Sequence, residues 1–308
     1  MEHYLVTGGC GFIGSHIAEA LVERGDQVRI FDDLSSGYEK NLAAIHDQVE
    51  FVRGDIRNVN DVQSAMDGIT RVFHEAALVS VFESLDDPGK NHDINITGTL
   101  NVLEAARQAG VRRVVWASSA ATYGDSPELP KIETMLPSPV SPYGMAKLSG
   151  EYYMNVYAAC YGIETVSLRY FNVYGPRQDP SSMYAGVIAR FCDVVKAGET
   201  LTIYGDGQQT RDFVFVKDIA RANLMAMDSD RVGNGDILNI ATGSRVSLLD
   251  LVETLGEIVG RKLEPQFKET RAGDVKDSLA DISRARDRIG FEAESTLRNG
   301  LEALMNSG

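Results

Sequence analysis

No stretch of the 308-residue chain approaches the roughly 18 consecutive apolar residues that a membrane-spanning helix requires. The opening MEHYLVTGG runs straight into a strand pattern with no basic segment or apolar leader core, so an unexported protein is expected. Cysteine is scarce: Cys10, Cys160 and Cys192 are odd in number and lack metal-ligand spacing. That argues against a disulfide framework and a zinc site, and fits a reducing compartment, with the cytoplasm as the expected location. The five histidines, His3, His16, His46, His74 and His92, form no sequence cluster, and no metal site is expected. Low-complexity tracts and internal repeats at solenoid periods are missing as well. Positive charge is in deficit, with 30 Lys and Arg against 44 Asp and Glu and a formal net charge of -14. Such a field repels nucleic acid and anionic membranes, and any anionic small molecule must be met by local basic groups.

What is present is a regular alternation. YLVT, QVRIFDD, RVFHEAA and RRVVWASS are apolar runs without polar alternation, separated by the amphipathic stretches SHIAEALVERG and NITGTLNVLEAARQAG. Strands of this kind are buried on both faces, which predicts an α/β fold: a Rossmann-type doubly wound parallel sheet. After about Asn172 the rhythm breaks into GPRQDPSS, AGVIARFCDVVKAG, TLTIYG and DLVETLGEIVG, which predict a smaller C-terminal α/β lobe. The expected division is residues 1–172 and 173–308. The two are expected to interleave, because DFVFVKDIARANLMAM reads as strand then helix, and part of 208–245 could rejoin the first sheet.

Two motifs carry chemistry. Gly8, Gly11 and Gly14 stand between the first strand and the first helix, where glycine permits a tight turn and a helix start offers N–H groups and a positive dipole end to a pyrophosphate. The next strand ends in Asp32, at the spacing from the glycines at which a carboxylate accepts from an adenosine ribose; this favours NAD over NADP. Asp55, ending the following strand in FVRGDI, is placed to meet the adenine. The second motif is Tyr143 and Lys147 in SPYGMAK, four apart and on one face if the segment is helical. A nearby ammonium and a cationic nicotinamide ring would favour the phenolate of a tyrosine whose ordinary pKa is about 10, which suits acid–base work. RRVVWASSA carries Ser118 and Ser119 to the carboxyl end of a strand, where α/β sheets bind ligands, and a serine there could relay a proton to Tyr143.

With TGGCGFIGSH, ASSAATYG, SPYGMAK, LRYFNVYGPRQ, TIYGDGQQTRDFVFVKD and RAGDVKDSLAD in order, the chain resembles the extended short-chain dehydrogenase/reductase family and, within it, the UDP-hexose 4-epimerases. The resemblance implies that NAD is held by Gly8, Gly11, Phe12, Ile13, Gly14, Asp32, Asp33, Asp55, Ile56, Ala76, Asn95, Tyr143, Lys147 and Tyr170. It implies Ser119 and Tyr143 as the catalytic pair with Lys147, Ser118 remaining an alternative to Ser119. It implies a UDP-sugar site in the second lobe built from Asn172, Val187, Thr202, Tyr204, Arg211, Arg271 and Asp274, together with Ser119 and Tyr143. Guanidinium groups such as those of Arg211 and Arg271 suit a diphosphate entering an acidic protein.

The implied reaction is oxidation of the sugar at C4, rotation of the 4-keto sugar and return of hydride to the other face. Related 4,6-dehydratases carry an Asp–Glu pair where this chain has Ala120 and Ala121, and the glutamate of UDP-glucuronate decarboxylases has no counterpart in ASSAATYG. A silent NAD-sensing scaffold is disfavoured because Tyr and Lys are both kept. In the epimerases a residue four positions after the Asp of RxGD gates the sugar's 2-substituent. Here it is Ser278, small enough to admit an acetamido group. The expected substrate is therefore UDP-N-acetylglucosamine, with UDP-glucose second and UDP-glucuronate as the alternative; Arg177 and Lys90 are cations that sequence cannot position. Where many relatives have a lysine after HxAAL, this chain has Val79, and Cys10 reads as a small filler in the glycine loop. A homodimer through paired helices is expected by resemblance.

Overall fold

Because the apolar runs have no polar face, each must be covered on both sides, and the computed structural model, which describes residues 2–179, 186–270 and 277–307, realises this arrangement. In chain order the first half forms β1 (His3–Thr7), α1 (Phe12–Glu23), β2 (Gln27–Asp32), β3 (Glu50–Arg53), α2 (Val59–Met66), β4 (Arg71–His74), α3 (Val81–Asp86), α4 (Pro88–His92), α5 (Thr99–Ala109), β5 (Arg113–Ser119), α6 (Pro142–Tyr161) and β6 (Glu164–Tyr170). The second half forms β7 (Asn172–Tyr174), α7 (Val187–Lys196), β8 (Thr202–Tyr204), β9 (Thr210–Arg211), β10 (Phe213–Phe215), α8 (Val216–Asp228), β11 (Asn234–Ile240), β12 (Val246–Ser247), α9 (Leu248–Val259), β13 (Gln266–Lys268), α10 (Ser283–Ile289) and α11 (Leu297–Asn306). Seven strands make one parallel sheet in the order β11-β6-β5-β4-β1-β2-β3.

Period-2 alternation divides the strand residues between two cores. On one face Tyr4, Val6, Ile30, Phe73 and Val115 meet Ile17 and Leu21 of α1 and Ile219 and Ala226 of α8. On the other, Leu5, Phe31, Val72, Val114 and Trp116 meet Val62 of α2, Leu103 of α5 and Met154 of α6. Burial of each large side chain contributes about 1.5–3 kcal/mol before chain entropy is subtracted. The second half adds two-stranded pairs β10-β7, β12-β9 and β13-β8 around a third core that includes Phe191, Ile203, Phe215 and Leu251. It also returns to the main sheet: β11 lies parallel to β6, and α8 packs in the α1 core.

The strand order reverses between β1 and β4, which opens a crevice at their carboxyl ends. Helix α6 is aimed at this end of the sheet by its own start signals. Ser141 Oγ accepts from Gly144 N at 3.1 Å, Pro142 occupies the first turn, and Gly162 at φ 71 ends the helix.

Candidate active site

The glycine turn is a cradle only glycine can form. Gly8 sits at φ +68, where a Cβ would also stand 2.7 Å from Ala76 N; a Cβ on Gly14 would stand 2.3 Å from Gly8 O. Gly11 is the N-cap of α1 and no side chain caps that helix, whereas α2, α3, α4, α6, α9 and α11 are capped by Asn58, Ser80, Asp87, Ser141, Ser247 and Thr296. A start without a side-chain cap next to the crevice suits a pyrophosphate. Phe12 packs edge-on to His16, and both Phe12 and Ile13 lean on the third core, so a cofactor role for them runs through backbone N–H groups. Asp32 is buried, its carboxylate accepting from Cys10 N at 2.9 Å and Leu34 N at 2.8 Å; burial pushes it up. It thus fixes the loop and, with lone pairs to spare, fits a ribose. Asp33, on the next turn, accepts from Ser35 N.

Three other residues expected at the cofactor have partners within the protein. Asp55 is forked by Arg57, whose Nε and Nη2 lie 2.6–3.0 Å from its oxygens and hold the carboxyl below its ordinary range. Asn95, on a π-helical turn between α4 and α5, spends its amide on Leu78 N, Leu78 O and Asn91 Oδ1 at 2.8–2.9 Å. It shapes the loop after β4. Ile56 is buried, its carbonyl accepting from Asn101 Nδ2 at 2.9 Å. Ala76 N donates to Thr7 Oγ1 beneath the glycine turn, and Tyr170 reaches the same crevice from β6.

Tyr143 and Lys147 lie one turn apart on α6. Tyr143 hydrogen-bonds Ser119, the last residue of β5, and Ser119 Oγ also accepts from Ala121 N at 3.1 Å. Lys147 Nζ donates to Ala117 O at 2.7 Å, 4.9 Å from the Trp116 ring centroid and 5.8 Å from that of Tyr143. Burial lowers Lys147 to about 8 against the opposing pull of Glu75 and Glu151. The expected acidification of Tyr143 is not met in the protein alone: burial pushes the phenol up, Glu75 adds to that, and only the Ser119 hydrogen bond works against them. The Lys147 ammonium is turned to the carbonyl of Ala117. Ser118 points elsewhere, donating to Glu151 Oε1 at 2.6 Å in a buried network that pairs Glu151 with Arg169 at 2.7 and 2.8 Å. Its hydroxyl is committed, which leaves Ser119 facing Tyr143.

In the second half, Asp212 is fully buried and gathers Thr242, Gly243 and Ala280 by accepting from their N–H groups. Asn172 N and Nδ2 donate to Asp212 O. Ser119 pairs with Tyr170 across the sheet, two residues before Asn172. Gln209 Nε2 donates to Tyr204 O, Arg211 Nη1 to Thr210 O, and Ser278 N to Thr210 O. Arg211 and Ser278 are thereby both tied to Thr210, and Tyr204 to the neighbouring Gln209; Thr202 shares β8 with Tyr204, and Val187 opens α7. Arg271 and Asp274 lie outside the described residues. Arg177 bonds Glu19 of α1 at 2.9 Å, and Lys90 pairs with Glu83 at 2.8 Å. His74 and His16 are structural, hydrogen-bonded to Thr7 and Thr99 and to Pro176 O. Cys10 is buried against Gly37, as a filler should be.

Sequence reasoning missed Glu75, Glu151, Arg169 and Asp212. The available signal was a charged residue set in or beside an apolar strand run, as in RVFHEAA and VSLRYF.

Residues 4–241 match the model of the NAD dependent epimerase/dehydratase family. A UDP-glucose 4-epimerase of Mycolicibacterium smegmatis is 40% identical over 306 residues, 96% of this chain and 95% of its own. The crystal structure of UDP-glucose 4-epimerase from Thermotoga maritima with UDP-glucose has a TM-score of 0.93 at 39% identity, covering 99% of this chain and 98% of that one. UDP-N-acetylglucosamine 4-epimerase from Methanobrevibacter ruminantium M1, in complex with UDP-N-acetylmuramic acid, has a TM-score of 0.94 at 38% identity, covering 99% and 97%.

Proposed function

We propose, from the premise that this chain belongs to the NAD-dependent epimerase/dehydratase family, that it interconverts UDP-N-acetylglucosamine and UDP-N-acetylgalactosamine, with UDP-glucose as a second substrate. The protein is an NAD-dependent UDP-sugar 4-epimerase; the choice of sugar is the proposal. Its support is Ser278, whose N–H donates to Thr210 O next to Arg211, and whose small side chain would leave room for an acetamido group. UDP-glucuronate fits less well, because Arg177 and Lys90, the two cations considered for its carboxylate, are paired with Glu19 and Glu83.

A carbon bearing only a hydroxyl has no direct route to inversion, but becomes planar as a ketone. When bound at the glycine turn and Lys147, NAD would supply reversible hydride transfer. Tyr143 removes the 4-hydroxyl proton and returns it after the sugar has turned, and Ser119, hydrogen-bonded to it, relays that proton. Lys147 spends one of its three protons on Ala117 O and keeps two for the nicotinamide ribose hydroxyls. Arg211 and Arg271 take the diphosphate, Tyr204 and Thr202 the uracil side, and Asn172 the end nearest Ser119. Met145, Tyr152 and Val156 lie exposed along one flank of α6, an apolar face that supports a homodimer through this helix.

The test is turnover of UDP-N-acetylglucosamine, UDP-glucose and UDP-glucuronate by the wild type, Tyr143→Phe and Ser278→Tyr. Tyr143→Phe should lose about 10²–10⁴-fold in rate while still binding UDP-sugar. Ser278→Tyr should cut acetamido-sugar turnover far more than UDP-glucose turnover. Equal losses on both sugars would overturn the gate assignment.

A further inference from the structure

The proposed reaction moves its proton between the sugar, Ser119 and Tyr143 and leaves one acidic group at the crevice without a task. Glu75 directly follows β4, at the point where the strand order reverses. The other wall is the glycine turn: a Cβ on Gly8 would stand 3.0 Å from Glu75 C. Glu75 is fixed at both ends, its N–H donating to Thr7 O at 3.1 Å and its Oε1 accepting from Tyr170 OH at 2.9 Å. Tyr170 is held in turn by Asn223 of α8, whose Nδ2 donates to the phenol oxygen at 2.7 Å. Lys147 and Tyr143 of α6 are within reach of the Glu75 charge, and burial pushes its carboxyl up to about 7.

A dinucleotide lying across the ends of β1 and β4, with its reactive ring toward Tyr143 and Lys147, brings that ring alongside Glu75. The ring is cationic when oxidised and neutral when reduced. A fixed carboxylate distinguishes the two through Coulomb attraction, which is strong in a crevice of low dielectric. We propose that Glu75, held by Tyr170, is a positioning residue that biases the bound nicotinamide toward its oxidised form and so sets the redox poise of the holoenzyme. The inference rests on the NAD-dependent reading above. An enzyme that must return the electrons it takes gains by this bias, because a reduced cofactor whose ketone has escaped is a dead enzyme.

Glu75→Gln keeps an oxygen to accept from Tyr170 and removes only the charge; Glu75→Asp keeps the charge. The midpoint potential of the bound cofactor in the holoenzyme is read by mediated titration, following the near-ultraviolet absorbance of the reduced ring. Glu75→Gln should favour the reduced form by about tenfold, a rise of about 30 mV for two electrons, and Glu75→Asp should stay close to the wild type. An unmoved midpoint in Glu75→Gln, or equal movement in both variants, overturns the proposal. Should the variants fail to fold, the wild type alone decides. Facing Lys147 and Tyr143 from α6, Tyr170 from β6 and neutral Asn223 from α8, Glu75 should make the midpoint fall between pH 6 and 8 more steeply than the about 30 mV per unit of the nicotinamide couple. A slope of about 30 mV throughout would overturn it. A protein that binds no NAD defeats the functional reading instead, so the two failures are distinguishable.

Discussion

Gly150 is where fold and chemistry share one contact. Helix α6 approaches β5 so closely that a Cβ at Gly150 would stand 2.1, 2.4 and 2.9 Å from three ring atoms of Trp116, a side chain only 1% exposed. Gly150→Ala therefore forces the ring or the helix to give by over an ångström before ordinary contact is restored. Overpacking of this kind costs about 1–3 kcal/mol, and alanine's better helix propensity returns about 1 kcal/mol, leaving a net loss of up to about 2 kcal/mol. For a chain of 308 residues, that lowers Tm by about 1.5 °C per kcal/mol. The ring that must move lies 4.9 Å from Lys147 Nζ, so turnover should fall with stability. Trp116 is the single tryptophan of the chain, and its emission reports the displacement without a label. Gly89→Ala is the control, since its Cβ would meet nothing nearer than Asp87 Oδ1 at 3.5 Å. A Gly150→Ala protein with Tm at or above that of the wild type, unshifted emission and full turnover would refute the reasoning.

Ser119→Ala should slow epimerisation by about a hundredfold or more, whereas Ser118→Ala should cost about 1 kcal/mol of stability and leave most of the rate, as steady-state kinetics and denaturant titration would reveal. Stability should also depend on acid. His74 and His16 are buried neutral, lowered by burial to about 3 and about 4, so the unfolded chain takes up their protons first as pH falls below about 6.5. Each removes about 1.4 kcal/mol per pH unit from 6 to 5. Glu75, raised by burial to about 7, binds its proton in the folded state first and returns about the same over that interval. These three groups together give a loss of about 1.4 kcal/mol between pH 6 and 5, which His74→Gln should reduce by about the same amount; urea midpoints at the two pH values in both proteins measure it, and equal slopes would contradict the assignment.

Much of this architecture is legible in the residues, because strands buried on both faces and a glycine turn before a helix have few other uses. YLVT and RRVVWASS appear where their patterns place them, and Asp32 ends its strand beside the glycine loop, accepting from Cys10 N. What escapes is pairing at a distance. Nothing in FVRGDIR says that Arg57 occupies Asp55, nothing in NITG that Asn95 is consumed by Leu78, and the two serines of ASSA separate only when Glu151, 33 residues on from Ser118, claims one of them. The upward push on Tyr143 escapes for the same reason: how deeply a phenol is buried, and that Glu75 lies near it, are tertiary facts.

The pairing of β11 with β6 has a cost in time. During synthesis β6 emerges with an apolar edge whose neighbour is made roughly seventy residues later. At 5–20 residues per second that edge waits on the order of 3–15 s, able to pair with any other strand it meets. The nascent chain is thus most prone to aggregate just as its cofactor-binding half is nearly complete, and that interval is where a chaperone would protect it.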